Sequence, residues 1–173
     1  METLLADGLG FVQRPDEAYD RLLLKEVVHH FEEKDLPTLF AGAFRQLRPA
    51  GRLVIMTRPH DSSHYPFFAG AHAAWSAAQL PESVYESALT RCGFLVSVDH
   101  ADYPVTMPAK RWLGMLQGRF WSNFNGFSDG EMEVGLEEVR RKLVGPGETD
   151  EKSITFPDRI VLIVGVKPEG GAA

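Results

Sequence analysis

Four ionisable side chains fall within six positions of this chain: Lys25, Glu26, His29 and His30. Arg58 and His60 form a second group further on. Each group directly follows a short apolar run, Arg21 to Lys25 in the first case and Arg52 to Thr57 in the second. Both runs read as strands buried on two faces of a parallel sheet. Ligands of open α/β sheets bind beyond the carboxyl ends of such strands, which makes all six residues site candidates. Imidazole titrates near neutrality, so His29 is a candidate general base toward an acceptor. The competing reading is that one histidine of the pair caps or packs against the helix that follows.

The histidines at 29, 30, 60, 64 and 72 also raise the question of a metal. Neither H-E-x-x-H nor C-x-x-C spacing is present, and these histidines fall on different expected elements, so no metal is expected. Cys92, the single cysteine, sits at the end of an expected helix on its apolar face, where a thiol is inert. It cannot form an internal disulfide, which points to a reducing compartment and a cytoplasmic location.

The elements that must position these groups can be read in order. Between the two strands lies a helix with Asp35 as N-cap and Pro37 in its first turn. Leu36, Leu39, Phe40, Ala43, Phe44 and Leu47 share one face of it. Arg45 and Arg48 suit its last turns, and Pro49-Ala50-Gly51 stops it. Strand, crossover helix and strand form a right-handed βαβ unit.

Further helices are expected over Phe67 to Gln79, from Pro81 to Cys92 with Gly93 as the C′ residue, from Pro108, and over Asp129 to Leu143. Further strands are expected over Phe94 to Asp99 and Arg159 to Val166. Glu2 to Ala6 is a candidate short strand ending at Asp7-Gly8. Gly8-Leu9-Gly10 fails as a G-x-G-x-x-G loop, because Gln13 holds the last glycine position and only Phe11 to Ala18 separate it from Tyr19.

The stretch from Tyr19 to Pro59 resembles the second half of a class I S-adenosylmethionine-dependent methyltransferase. Tyr19-Asp20 matches the aromatic-Asp opening of that family's fourth strand. Val28-His29-His30-Phe31 matches the segment after it, and Leu47-Arg48-Pro49-Ala50-Gly51 matches the turn into its fifth strand. Ala50 departs from the usual glycine there; a positive φ at that position would cost about 1 kcal/mol. The resemblance implies an α/β, Rossmann-like fold, incomplete at its start, with the family's strands 4-5-7-6 retained and residues 2 to 6 as a candidate remnant of strand 3. It implies one partial methyltransferase domain over 1–168 with a frayed tail over 169–173.

The resemblance also implies S-adenosylmethionine as cofactor and methyl transfer to an acceptor that the sequence does not identify. Asp7 and Gly8 would contact adenine, although Asp7-Gly8 reads equally well as a plain turn. Lys25 and Glu26 would border the methionine end, with His29 as catalytic base. His30, Arg58 and His60 would face the substrate, as would Trp121 and Phe124 if the segment from Pro104 to Phe127 covers the site; that segment also reads as ordinary core with a loop. The family's glycine-rich loop and ribose-binding acid have no counterpart, so the chain resembles a methyltransferase that starts near its third strand. That leaves an open edge on the Arg21 strand, suited to homodimer or heterodimer pairing, and makes a non-catalytic binding or regulatory subunit the alternative reading. No G-x-S-x-G elbow supports a hydrolase.

The chain has 173 residues, 44% of them hydrophobic, enough for a core and too apolar for disorder. A net charge of −6 without a basic block does not favour nucleic acid or anionic membrane. The start reads as no signal peptide, and no apolar run approaches the roughly 20 residues of a membrane span.

Overall fold

The computed structural model describes residues 3–15 and 18–170. In chain order it contains α1 (Gly8–Gln13), β1 (Tyr19–Lys25), α2 (Leu36–Gln46), β2 (Leu47–Thr57), α3 (Ala69–Ala78), α4 (Glu82–Arg91), β3 (Leu95–Pro108), α5 (Ala109–Gln117), α6 (Asp129–Leu143) and β4 (Ser153–Val166). Short 3-10 turns cover Val28–His30, Glu33–Asp35 and Ser122–Gly126. The strands form one sheet in the order β1-β2-β4-β3. β1 runs parallel to β2 and β4 runs antiparallel to it, with Leu53 between Leu22 and Gly165 and Ile55 between Leu24 and Ile163. The last expected strand is therefore inserted antiparallel, as in the family's 4-5-7-6 arrangement.

The chain folds into two compact units. The first comprises Met1–Arg58, Leu80–Ala101 and Ile160–Ala173; the second comprises Pro59–Gln79 and Asp102–Arg159. In the first unit, Leu36, Leu39, Phe40 and Ala43 of α2 bury against Leu53 and Ile55 of β2, and Val161 and Ile163 of β4 join them. Tyr85, Ala88 and Leu89 of α4 complete the cluster. Each large side chain withdrawn from water there contributes about 1.5–3 kcal/mol. The second unit is built on aromatic rings: Tyr65, Phe67, Trp75, Trp112, Phe124 and Phe156 are all buried. Trp75 Nε1 donates to Pro59 O at 2.9 Å and Trp112 Nε1 to Pro66 O at 2.9 Å, so the buried indoles are satisfied.

Several expectations change in detail. Residues 3–6 form no strand, and Glu2 lies outside the described residues. The Asp7 side chain instead accepts from Gly10 N at 2.8 Å and turns the chain into α1. Asp35 stands at the N-cap of α2 but its side chain makes no capping bond, because the Glu33–Asp35 turn already leads into the helix. α2 ends at Gln46, before Pro49, since the residue ahead of a proline favours extended backbone. Its terminal carbonyls are met from the far end of the chain: Lys167 Nζ donates to Phe44 O at 2.8 Å and Leu47 O at 2.7 Å. Arg48 consequently lies in β2 and pairs with Asp20 at 2.9 Å.

β3 and β4 are both longer than expected, and β3 runs through Pro104 to Pro108. As an edge strand it tolerates a residue that cannot donate. Phe120 falls beyond α5 and is 66% exposed. The part of the expected tail at Gly171–Ala173 lies outside the described residues.

Two backbone positions report on local strain. Ala50 has φ 60°, in the left-handed region that glycine would occupy without a Cβ penalty. Gly42 sits where α1 crosses α2, and a Cβ there would stand 2.6 Å from Val12 O. Ala50→Gly should raise unfolding stability by about 0.5–1 kcal/mol. Gly42→Ala should lower it by about 1–3 kcal/mol. Urea titrations of the two variants beside the parent chain check both signs.

Candidate functional site

β1 and β2 are parallel neighbours, so their carboxyl ends meet at one end of the sheet. Lys25 pairs in register with Met56, and Glu26 N donates to Met56 O at 2.8 Å as the last rung. Glu26 then takes φ 52°, which turns the chain sharply out of the sheet. A non-glycine residue in this region costs about 1–2 kcal/mol and persists only where its surroundings hold it. Here Arg58 Nε donates to Glu26 Oε1 at 2.9 Å, with the two side chains 21% and 36% exposed. The pair ties the end of β1 to the end of β2.

The turn that follows carries the histidines. Val28 is fully buried and anchors it from below. The rings of His29 and His30 lie 4.2 Å apart, tilted by 46°. Burial holds the His29 pKa below its usual value, and the neighbouring His30 adds to this. Its imidazole is thereby kept neutral at pH 7. Nδ1 of His29 is buried without a hydrogen-bond partner among the described residues. Such an atom is one that a bound polar group could satisfy. Phe31 closes the turn and packs on the start of α1: a Cβ on Gly8 would stand 2.6 Å from Phe31 Cζ. Gly8 is thus a packing glycine, and Asp7 beside it is an N-cap.

The fold brings seven predicted residues into the first unit: Asp7, Gly8, Lys25, Glu26, His29, His30 and Arg58. The other three belong to the second unit. His60 Nδ1 lies 2.6 Å from Gln79 O, just past α3, so its Nδ1 carries the proton and donates. Trp121 packs 5.3 Å from Trp112 and 5.7 Å from Phe124, and Phe124 is fully buried in the aromatic core.

Some contacts left no mark in the sequence. Arg119, at φ 52°, donates through Nη1 to Phe124 O and Phe127 O and through Nη2 to Asp129, fixing the 3-10 turn that carries Phe124. Tyr65 donates its hydroxyl to Asp158, 93 residues away. Ser62 Oγ lies 2.8 Å from His72 Nδ1. Burial lowers the pKa of His64 and of His72. A groove of about 940 Å³ runs along α5 and α6, lined by residues such as Leu113, Met132 and Arg140, and none of the predicted site residues lines it. Among the described residues no cluster of His, Cys, Asp or Glu could hold a metal ion. No helix there is long and apolar enough to cross a membrane.

No protein-family model matches the chain. No curated protein matches it significantly. Solved structures do. A Bacillus halodurans protein described as a candidate methyltransferase superposes with a TM-score of 0.51 at 15% identity, over 91% of this chain and 74% of that one. A SAM-dependent methyltransferase of Archaeoglobus fulgidus superposes with a TM-score of 0.50 at 13% identity, over 94% of this chain and 66% of that one. At these identities the likeness is one of fold. The chain has the Rossmann-like class I methyltransferase fold, represented among its described residues by strands equivalent to the family's 4-5-7-6.

The sign of the histidine shifts gives a pH prediction. Between the lowered folded value and the ordinary 6.5, the unfolded chain binds the proton more readily. The contribution of His29 is therefore complete above pH 6.5 and lost as pH falls through the folded value. His64 and His72 act with the same sign. Urea stability should fall on going below about pH 6.5, before carboxylates titrate, and His29→Asn should make that fall shallower. An unchanged slope in the variant would remove His29 as a contributor.

Proposed function

We propose that the chain contributes the methyl-transfer half of an S-adenosylmethionine-dependent methyltransferase. The observation that carries the reading is the sheet order, with one antiparallel strand inserted beside a parallel βαβ unit whose strand ends bear ionisable groups. The residues fit one end of such a cofactor. His29 offers an unpartnered buried nitrogen, and Glu26 and Lys25 border the same strand end. Asp7 uses Oδ1 for its cap and keeps Oδ2 for an adenine amine, with Gly8 beside it. A glycine-rich loop and a ribose-binding acid have no counterpart in the residues read above.

The cofactor would supply an activated methyl group on a sulfonium sulfur, which an acceptor's lone pair takes as the carbon–sulfur bond breaks. The protein's share is alignment, exclusion of water and proton removal. His29, kept neutral, would receive the acceptor's proton. His30 and Arg58 would face the acceptor. The acceptor's chemistry is left open by these residues.

A second reading is favoured by one feature. Among the described residues β1 has a neighbour on one side only, so its outer backbone groups form an open ladder there. On this reading the chain is a non-catalytic subunit that pairs through that edge with another copy or another chain.

Calorimetric titration of the 173-residue chain with S-adenosylmethionine separates the two. The first reading expects saturable heat in the micromolar range, weakened about tenfold by His29→Asn, the loss of roughly one hydrogen bond. No heat, together with a dimer in sedimentation velocity, would favour the second.

A further inference from the structure

We infer that a cleft beside α6 in the second unit binds a linear aliphatic diamine, with one ammonium group at Glu131 and the other at Glu138. The inference rests on side chains of that unit alone and does not depend on the methyl-transfer reading. The cleft has a volume of about 420 Å³ and lies where Phe68, Gly70 and Phe127 face α6. Its shape follows from positions without side chains. A Cβ on Gly135 would stand 2.6 Å from Phe68 Cγ, so that ring lies against the bare backbone of α6. A Cβ on Gly70 would stand 3.3 Å from Phe127 Cε1. One on Gly130 would meet nothing within 4 Å, so the slot is open there and walled by rings elsewhere.

Both ends of this apolar slot are acidic. Glu131 and Glu138 are two helical turns apart on one face of α6, about 10.5 Å along its axis. Between them on that face lie Gly135 and Val134, the latter 71% exposed and free to be covered. Each carboxylate has a single oxygen engaged. Glu131 Oε2 accepts from Ser128 N at 2.8 Å and from Ser128 Oγ at 2.7 Å. Glu138 Oε1 accepts from Lys142 Nζ at 2.6 Å and from Ala69 N at 3.3 Å. Glu131 Oε1 and Glu138 Oε2 have no hydrogen-bond partner among the described residues. None of the residues lining the cleft is cationic.

Charge and polarity select the ligand. A slot with a carboxylate at each end repels anions and accepts positive charge at both ends, with hydrocarbon between. A metal ion is not served, because the two free oxygens stand two turns apart and hard cations gather several oxygens around one point. A chain of methylenes carrying an ammonium group at each end meets both demands. Each ammonium makes a charge-assisted hydrogen bond to a free carboxylate oxygen. The methylenes cover Val134, the backbone at Gly130 and the edges of the Phe68 and Phe127 rings, removing apolar surface from water.

The test is calorimetric titration of the full chain, at low ionic strength, with the terminal diamines diaminobutane, diaminohexane, diaminooctane and diaminodecane, and with octylamine as the single-charge control. Affinity should peak at diaminohexane or diaminooctane, about tenfold above diaminobutane and about tenfold above octylamine. Glu138→Gln should bring diaminooctane down to the level of octylamine. Gly130→Leu places a side chain in the open part of the slot and suits a helix better than glycine. It should abolish binding of every diamine while the circular dichroism and the urea midpoint stay at or above those of the parent. No heat from any diamine, affinity that ignores chain length, octylamine binding as tightly as the best diamine, or affinity unmoved by Glu138→Gln overturns the proposal. Binding that survives Gly130→Leu overturns it too, by showing adsorption elsewhere on an acidic surface.

Discussion

The structure hangs on β2. It has a parallel neighbour, β1, on one side and an antiparallel neighbour, β4, on the other. Leu53 and Ile55 are buried on its inner face under Leu39, Phe40 and Ala43 of α2, in a cluster shared with Val161 and Ile163 of β4. A slip of one residue in either ladder would turn those two side chains outward and bring Arg52 and Val54 into the core. Register is therefore held by burial, and burial in turn fixes where the strand ends stand. The geometry of Glu26 and Arg58 follows from that register.

The two non-glycine residues at either end of this system are both left-handed. Ala50 lies in β2 between its rungs at Leu47 and Arg52, where the register shifts, and Glu26 follows the paired stretch of β1. They differ in how they are held. Around Ala50 the backbone closes a ladder with the segment that follows β4: Ala50 N donates to Lys167 O at 3.0 Å and Lys167 N to Gly51 O at 2.9 Å. Around Glu26 a side chain does the holding, through Arg58. Strain at Ala50 is the by-product of a tight entry into the sheet. Strain at Glu26 directs a carboxylate and a histidine turn away from a strand end, the kind of place where proteins keep such backbone for use.

Much of this was legible from residue order. The βαβ unit, the positions of α4 and α6, Gly93 at a helix end and the antiparallel last strand all follow from periodicity, caps and the family pattern. The match of Leu47 to Gly51 even located the strained Ala50. What escaped was set by contacts that residue order does not display. Asp7 reads as turn or strand end until one sees its bond to Gly10. Pro104 argues against a strand until β3 proves to be an edge. The close approach of the Phe31 ring to Gly8 is likewise invisible until the fold brings the two together. The neutral state of His29 depends on burial, which a single sequence cannot display.

The ammonium group of Lys167 has a consequence for the order of events in folding. It closes the final turn of a helix that ends 121 positions earlier at Gln46, and it also sits 4.8 Å from the Phe44 ring. On a ribosome, the crossover helix emerges long before the residue that satisfies its carbonyls. Until synthesis has passed Lys167, the carbonyls at the end of that helix face water. The capping of this helix is thus one of the last contacts of the first unit to become available.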